Sequence, residues 1–213
     1  MSRDIDFIHI YRLSADLIDE LENDLTSYMP IRLRGSALTT RIKILCALSF
    51  LATGSYQKLV GKNFDTYLSQ SSVCRAIHQV VAALNNINVI NKYIRFPQNR
   101  AERQAIRERF YEKFGIPGVL GCIDGTLVAM IRPKKHEERY YCRKGYHARN
   151  VIIINDADLN ILHVDVTFGG GTHESFIFSN MRIKENLERI NNNGELTYLL
   201  GKISLVKFML TNY

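Results

Sequence analysis

A change of hydrophobic period near Pro117 constrains this chain more than any other feature. Before it, apolar residues recur three and four apart, the spacing of helices; after it they fall into short runs broken by Gly and Asx turns. The pattern predicts a helical region over residues 1–116 and a sheet-bearing domain over 117–213. A chain of 213 residues allows one ordinary domain or two small ones, and it is long enough to bury a core without metal or disulfide staples. The fold class expected is α+β, a helical N-terminal region followed by a mixed sheet with helices.

The first half offers several helices. Residues 40–53 form an apolar helix with a basic start, and 55–61 a short second one closed by Gly61. Residues 69–84 give a third, with Ser71 or Ser72 as N-cap and Val73, Ile77, Val80, Val81 and Leu84 along one stripe. A short helix, a turn and a Ser-capped helix exposing Arg75 and His78 have the outline of a helix-turn-helix; a packed helical subdomain with Arg75 solvated has the same outline. A further helix over 101–114 stops at Gly115 before Pro117.

In the second half, 119–123 and 151–154 read as strands buried on both faces. Residues 155–160 form a turn and 161–166 a third strand, so 151–166 is a β-hairpin. A helix follows over 174–190, after Gly169-Gly170-Gly171, and then a strand over 196–200. Strand, hairpin, helix, strand is the order of the first part of a ribonuclease-H-like sheet.

Two carboxylates sit beside glycines at the edges of these elements. Asp124 follows the first strand and precedes Gly125-Thr126, so it is expected where the sheet ends, open to substrate and suited to a hard cation such as Mg²⁺ or Mn²⁺. A turn-capping Asp has the same appearance. Glu174 opens a helix, where it could bind a cation or only complement the macrodipole. Asp156 and Asp158 belong to the hairpin turn, and Asp165 lies on the third strand with His163.

Between the first strand and the hairpin lies a basic block: Arg132, Lys134, Lys135, Arg139, Arg143, Lys144 and Arg149 against Glu137 and Glu138. Seven minus two is +5, most of the chain's net +7. Tyr140, Tyr141 and Tyr146 interleave with it, as in grooves that track a nucleic-acid backbone, although a solvated loop could carry the same charges. The four cysteines form no Cys-x-x-Cys pair, the N-terminus has charges where a secretory signal needs an apolar run, and the longest apolar stretch, 42–52, is too short to cross a bilayer. These features read as an intracellular, soluble, reduced protein without a membrane partner.

The segments Gly121-Cys122-Ile123-Asp124-Gly125-Thr126, Tyr141-Cys142-Arg143-Lys144-Gly145-Tyr146-His147, Asn155-Asp156-Ala157-Asp158, Gly171-Thr172-His173-Glu174-Ser175 and Leu199-Leu200-Gly201 stand in one order along the chain. In these, and in Tyr93-Ile94-Arg95-Phe96-Pro97, the sequence resembles the Harbinger transposase-derived nucleases, a branch of the DDE-type transposases, over roughly residues 40–213. The resemblance implies a ribonuclease-H-like fold behind a helix-turn-helix and a divalent-metal site that cuts DNA, with two cations ~4 Å apart in an in-line displacement. It places the metal on Asp124 and Glu174, and with the basic residues it suggests DNA contacts at Arg75, Lys134, Lys135, Arg143 and Lys144. It also implies nuclear work and, for some members, a Myb-like protein partner.

The sequence departs from the family at Lys202. An Asp is expected directly after Leu-Leu-Gly, and an ammonium there repels the cation by about 4 kcal/mol per unit charge at 4 Å and an effective dielectric near 20. The following Gly-Tyr-Pro-like stretch is replaced by Ile203-Ser204-Leu205, and the helix expected to bring a last catalytic Glu does not occur before Tyr213. The expectation is a C-terminally truncated nuclease with impaired cutting, or a remnant that binds DNA or a partner without cutting it.

Overall fold

The computed structural model describes residues 2–31, 37–62, 68–195 and 197–201. Contacts divide the chain into two compact units, Met1–Lys92 and Tyr93–Tyr213. The sequence pattern puts the divide at 116/117; the structure puts it earlier, because the helix before Pro117 packs on the first strand.

In the first unit α1 (Ser2–Tyr11) and α2 (Ala15–Thr26) precede α3 (Thr40–Thr53), α4 (Gln57–Lys62), α5 (Gln70–Leu84) and α6 (Ile87–Tyr93). α3 starts where the Thr39 hydroxyl accepts from the Ile42 N–H (3.2 Å) and ends at Gly54, whose φ of 63° a side chain would disfavour. α5 starts one turn earlier than Ser72 suggests: Ser69 is the cap, and its Oγ accepts from the Ser72 N–H at 3.2 Å. Val73, Ala76, Ile77, Val80 and Ala83 of α5 are buried with Ile44, Cys46 and Ala47 of α3 and Ile18 and Leu25 of α2. Val81, placed on the same stripe by the sequence, is exposed.

The second unit opens with α7 (Arg100–Phe114). The Asn99 side chain accepts from the Glu102 N–H (2.9 Å), satisfying one of the helix's orphan donors, and the Glu102 carboxylate reaches back to the Gln98 N–H just before the cap (2.7 Å). β1 (Val119–Ala129), β2 (Ala148–Asn155) and β3 (Ile161–Asp165) form an antiparallel meander. After α8 (Glu174–Asn180) and α9 (Arg182–Asn192), β4 (Tyr198–Leu200) returns parallel to β1, giving the order β3-β2-β1-β4. A three-strand meander, a helical crossover and a parallel return beside the first strand make a mixed α+β sheet of ribonuclease-H-like order. The single helix expected over 174–190 is two, because Met181 is extended (ψ 135°) and buries its side chain between them. Among the described residues no helix is long and apolar enough to cross a membrane.

Both sheet faces are covered. Ile123, Ile152 and Ile154 pack with Ile177 of α8 and Ile183, Leu187 and Ile190 of α9. On the other face Phe110 of α7 packs with Val119 and Ala157, flanked by Cys122 and Leu200. Behind α7, Arg103 grips the Glu195 carboxylate with two nitrogens (Nε 3.0 Å, Nη2 2.6 Å), while Arg107 reaches it at 3.5 Å and the Thr197 hydroxyl at 3.1 Å. These side chains are about nine-tenths buried. The contact ties the helix before β1 to the segment that leads into β4.

Candidate functional site

Asp124 does not mark the end of a strand. β1 runs five residues beyond it, and Asp124 pairs with Ile153 in the middle of the ladder. The strand continues because Gly125 lets it lie close to β2: a Cβ there would come 2.9 Å from Ile152 Cδ1. Gly125 therefore faces Ile152 and the α8–α9 core, and by strand alternation Asp124 faces the other way, where it is exposed. Its carboxylate has no hydrogen bond or ion pair among the described residues. β4 runs alongside, with Leu200 opposite Cys122. Lys202 lies outside the described residues.

Glu174 opens α8 after His173, and its side chain lies outside the described residues. α8 seats Ile177 on the sheet face opposite the one Asp124 occupies, so the structure does not bring Asp124 and this helix together on one face. Among the described residues no group of three or more His, Cys, Asp or Glu side chains is placed to hold a metal. Asp124 by itself supplies one hard oxygen ligand; the side chain of Glu174, the second candidate, lies outside the described residues.

The other acids of the sequence reading serve the fold. Asp156 closes the hairpin turn, its Oδ1 accepting from the N–H groups of Asp158 (2.9 Å) and Asn160 (2.8 Å). Asp158 binds Arg109 and Lys113 of α7, and these cations hold its carboxyl down at about 2. Asp165 caps the end of β3 through the Thr167 N–H (2.8 Å). His163 shares the core face with Ile154, and burial pushes its pKa down against the opposing pull of Asp165.

The basic block is a folded excursion between β1 and β2. Met130 donates to His147 O (2.9 Å) at its base, and a 3₁₀ turn at Glu137–Arg139 follows. Cys142 is buried and donates to Tyr146 O (2.9 Å), while Gly145, at φ 81°, donates back to Cys142 O (3.0 Å). The Cys-Arg-Lys-Gly-Tyr-His motif is thus a tight turn with Arg143 and Lys144 at its exposed tip. Arg143 contacts the His173 imidazole, which brings the tip beside the start of α8. The glycine tract lies against the loop's root: Gly169 bridges to Arg149, and a Cβ on it would collide with the Arg139 carbonyl. Arg149 is spent on the fold, donating to Val166 O (2.7 Å) with its guanidinium 5.4 Å from the Tyr140 ring centre.

Lys134, Lys135, Arg139 and Lys144 are exposed and have no ion-pair partner among the described residues. Arg75 is exposed on α5 in the other unit, and beside it His78 bonds its own helix at Cys74 O (2.8 Å). Four of the DNA-contact candidates, Lys134, Lys135, Arg143 and Lys144, therefore share one loop. Sequence reasoning counted Glu137 only as a deduction from the loop's charge. The structure makes it a junction, 2.7 Å from Arg132 Nε and 3.1 Å from His147 Nε2. An acid five residues after an Arg and ten before a His in a basic stretch was the only available sign.

Residues 123–202, which begin in β1 just before Asp124, match the family described as DDE superfamily endonuclease. Relatives with aligned sequence include HARBI1 of Homo sapiens, 29% identical over 155 residues (73% of this chain and 43% of that protein), and HARBI1 of Bos taurus, 30% identical over the same length and shares. Antagonist of Like Heterochromatin Protein 1 of Arabidopsis thaliana is 27% identical over 146 residues, 65% of this chain and 36% of that protein. The chain thus spans less than half the length of these relatives. No solved structure matches it. The family match begins in the strand that carries Asp124 and runs through the glycine tract to the strand that returns beside it, and together with the similarity to HARBI1 it places the chain in the Harbinger-derived DDE nuclease family.

Proposed function

We propose that this chain is the transposase-derived nuclease part of a protein that acts on DNA, with Asp124 as its central metal-ligating carboxylate and its cutting impaired by Lys202. One observation carries the reading: an exposed Asp in the middle of β1, on a sheet of order β3-β2-β1-β4 whose β4 runs parallel at its side. A strand interior holds a carboxylate rigidly, and Asp124, exposed on the α7 side of the sheet, is accessible to a phosphodiester. The cation would be Mg²⁺ or Mn²⁺, with Glu174 as the second candidate ligand. Lys134, Lys135, Arg143 and Lys144 would hold the DNA backbone, and Arg75 on α5 is a candidate DNA contact of the helical unit by itself. Such work belongs in the nucleus, and a Myb-like partner is part of the same reading.

The test is Mn²⁺-dependent nicking of supercoiled DNA by the purified chain beside Asp124→Asn and Glu174→Gln. Weak nicking that disappears in Asp124→Asn is expected. Equal nicking by wild type and Asp124→Asn would overturn the assignment. Glu174→Gln asks separately whether α8 contributes a ligand.

A second reading is favoured by the basic loop, which its own backbone and side-chain contacts fold and whose tip exposes Arg143 and Lys144. On that reading the chain binds DNA, or a chromatin protein of the kind the Arabidopsis relative's name suggests, without cutting. It predicts DNA binding in EDTA that weakens steeply with salt, and a smaller salt slope when Lys134, Lys135 and Lys144 are replaced by Ala together.

A further inference from the structure

We propose that Glu137 is the positioning residue of the basic loop: although it is an acid among cations, removing it weakens DNA binding. The proposal rests on the reading that this loop contacts DNA. Glu137 accepts from Arg132 Nε (2.7 Å) with one carboxylate oxygen, and the other lies 3.1 Å from His147 Nε2. Arg132 is at the loop's entry. His147 is at its exit, where its carbonyl oxygen accepts from the Met130 N–H (2.9 Å) and its ring meets the Tyr141 ring edge-on at 5.3 Å.

The contacts divide the loop in a telling way. Lys134 and Lys135 lie between Arg132 and Glu137; Arg143 and Lys144 lie between Glu137 and His147. Each segment bearing candidate DNA contacts is therefore closed at both ends by a Glu137 contact. His147 is 85% covered, so that half of the junction is shielded from solvent, whereas the Arg132 half is open and weak in itself. The effect is therefore on order: tied ends leave the cations fewer conformations to lose when they meet a phosphate backbone.

Glu138 supplies the control. It carries the same charge one residue away, is 73% exposed, and among the described residues pairs only with His136 Nδ1, at 3.7 Å. Simple charge counting predicts that losing either acid tightens DNA binding, by about twofold for a unit charge some 10 Å from a phosphate in water. Positioning predicts opposite signs.

The experiment measures duplex-DNA affinity in EDTA at low salt for the wild-type chain, Glu137→Ala, Glu138→Ala and the triple Lys134→Ala, Lys135→Ala, Lys144→Ala variant. The same proteins without DNA are followed for trypsin cleavage within 130–149. Glu137→Gln, which keeps length, accompanies Glu137→Ala, and circular dichroism checks that each variant is folded. Expected are binding about fivefold weaker in Glu137→Ala, on the scale of re-ordering one residue, a partial rescue in Glu137→Gln, tighter binding in Glu138→Ala, and faster loop cleavage in Glu137→Ala alone. Tighter binding by Glu137→Ala with a weakened triple variant would overturn the positioning role and leave the DNA reading standing. An unweakened triple variant would overturn the DNA reading of the loop and this proposal with it. Unchanged trypsin cleavage in Glu137→Ala would overturn the ordering role directly.

Discussion

The two units cohere by different means. In the helical unit the buried contacts are apolar, from Ile18 and Leu25 through Ile44 and Val60 to Val73 and Val80, and the ion pairs stay outside: Arg41 with Asp19 and Glu22, Lys92 with Glu20 and Asp24. In the sheet unit an apolar core of similar character is joined by the buried Arg103–Glu195–Arg107 contact. The difference follows from connectivity. Consecutive helices bury one stripe each and leave their charges at the surface, whereas a strand that returns after a crossover must be held beside β1 by whatever precedes it. Glu195, three residues before β4, meets two arginines of the helix that leads into β1.

The comparison predicts that the sheet unit breaks first at a charge. Arg103→Met keeps length and apolar contact but leaves Glu195 buried with Arg107 alone, and it should cost about 4 kcal/mol. The measurement is urea unfolding read by amide exchange in β1 and β2. The pH dependence supplies the sign. Arg103, then Arg107, holds the Glu195 carboxyl below its ordinary 4.5, so its contribution is full above 4.5 and is lost as pH falls further. The deficit of Arg103→Met should therefore shrink in acid. A deficit that stays constant down to pH 3 would mean that packing, not charge, joins α7 to the approach to β4.

The helical unit should respond to volume and not to pH. Ile44→Ala opens a cavity at a fully buried position and should cost about 3 kcal/mol, equally at pH 4 and pH 7, in urea unfolding read by amide exchange in α3 and α5. If that cost varied with pH, the contrast between the units would fail.

Legibility followed the same division. The helices of Thr40–Thr53 and Gln70–Leu84 stand out because their apolar residues are periodic and their ends carry Thr, Ser and Gly. α2 is hidden by Asp16, Asp19, Glu20, Glu22 and Asp24, although Ile18, Leu21 and Leu25 keep helical spacing among them. The sheet order is readable because strand, hairpin, helix and strand leave few right-handed ways to close. The length of β1 is not, since an Asp-Gly pair signals a turn unless Ile152 is known to lie beneath the glycine. Asp124 was legible as a residue and not as a mid-strand position. The side to which α8 packs, which separates it from Asp124, depends on Ile177 meeting Ile123 and Ile152 and has no local signature. Glu195 escapes a sequence reading because its arginines lie 92 and 88 residues away, and Glu137 because Arg132 and His147, though near in sequence, stand at no helical or strand spacing from it.

The smallest effect tests whether the apolar part of the sheet unit also titrates. Among the described residues His163 Nε2 is buried with no hydrogen-bond partner, on the face of the sheet that carries Ile154. Burial lowers its pKa below the ordinary 6.5, and the Asp165 carboxylate opposes that shift without cancelling it. The unfolded chain therefore binds the proton first. Stability is full above about pH 6.5 and declines as pH falls toward the depressed folded value. Replacing the imidazole by an apolar group removes the proton uptake and the orphaned nitrogen together, so His163→Leu should flatten the dependence between pH 7.5 and 5.5 and leave the variant the more stable of the two at 5.5. Urea midpoints at these two pH values decide it. A wild-type midpoint that does not fall, or a His163→Leu slope as steep as wild type, would remove His163 as the titrating group and leave the Glu195 contact, at lower pH, as the sheet unit's main point of acid sensitivity.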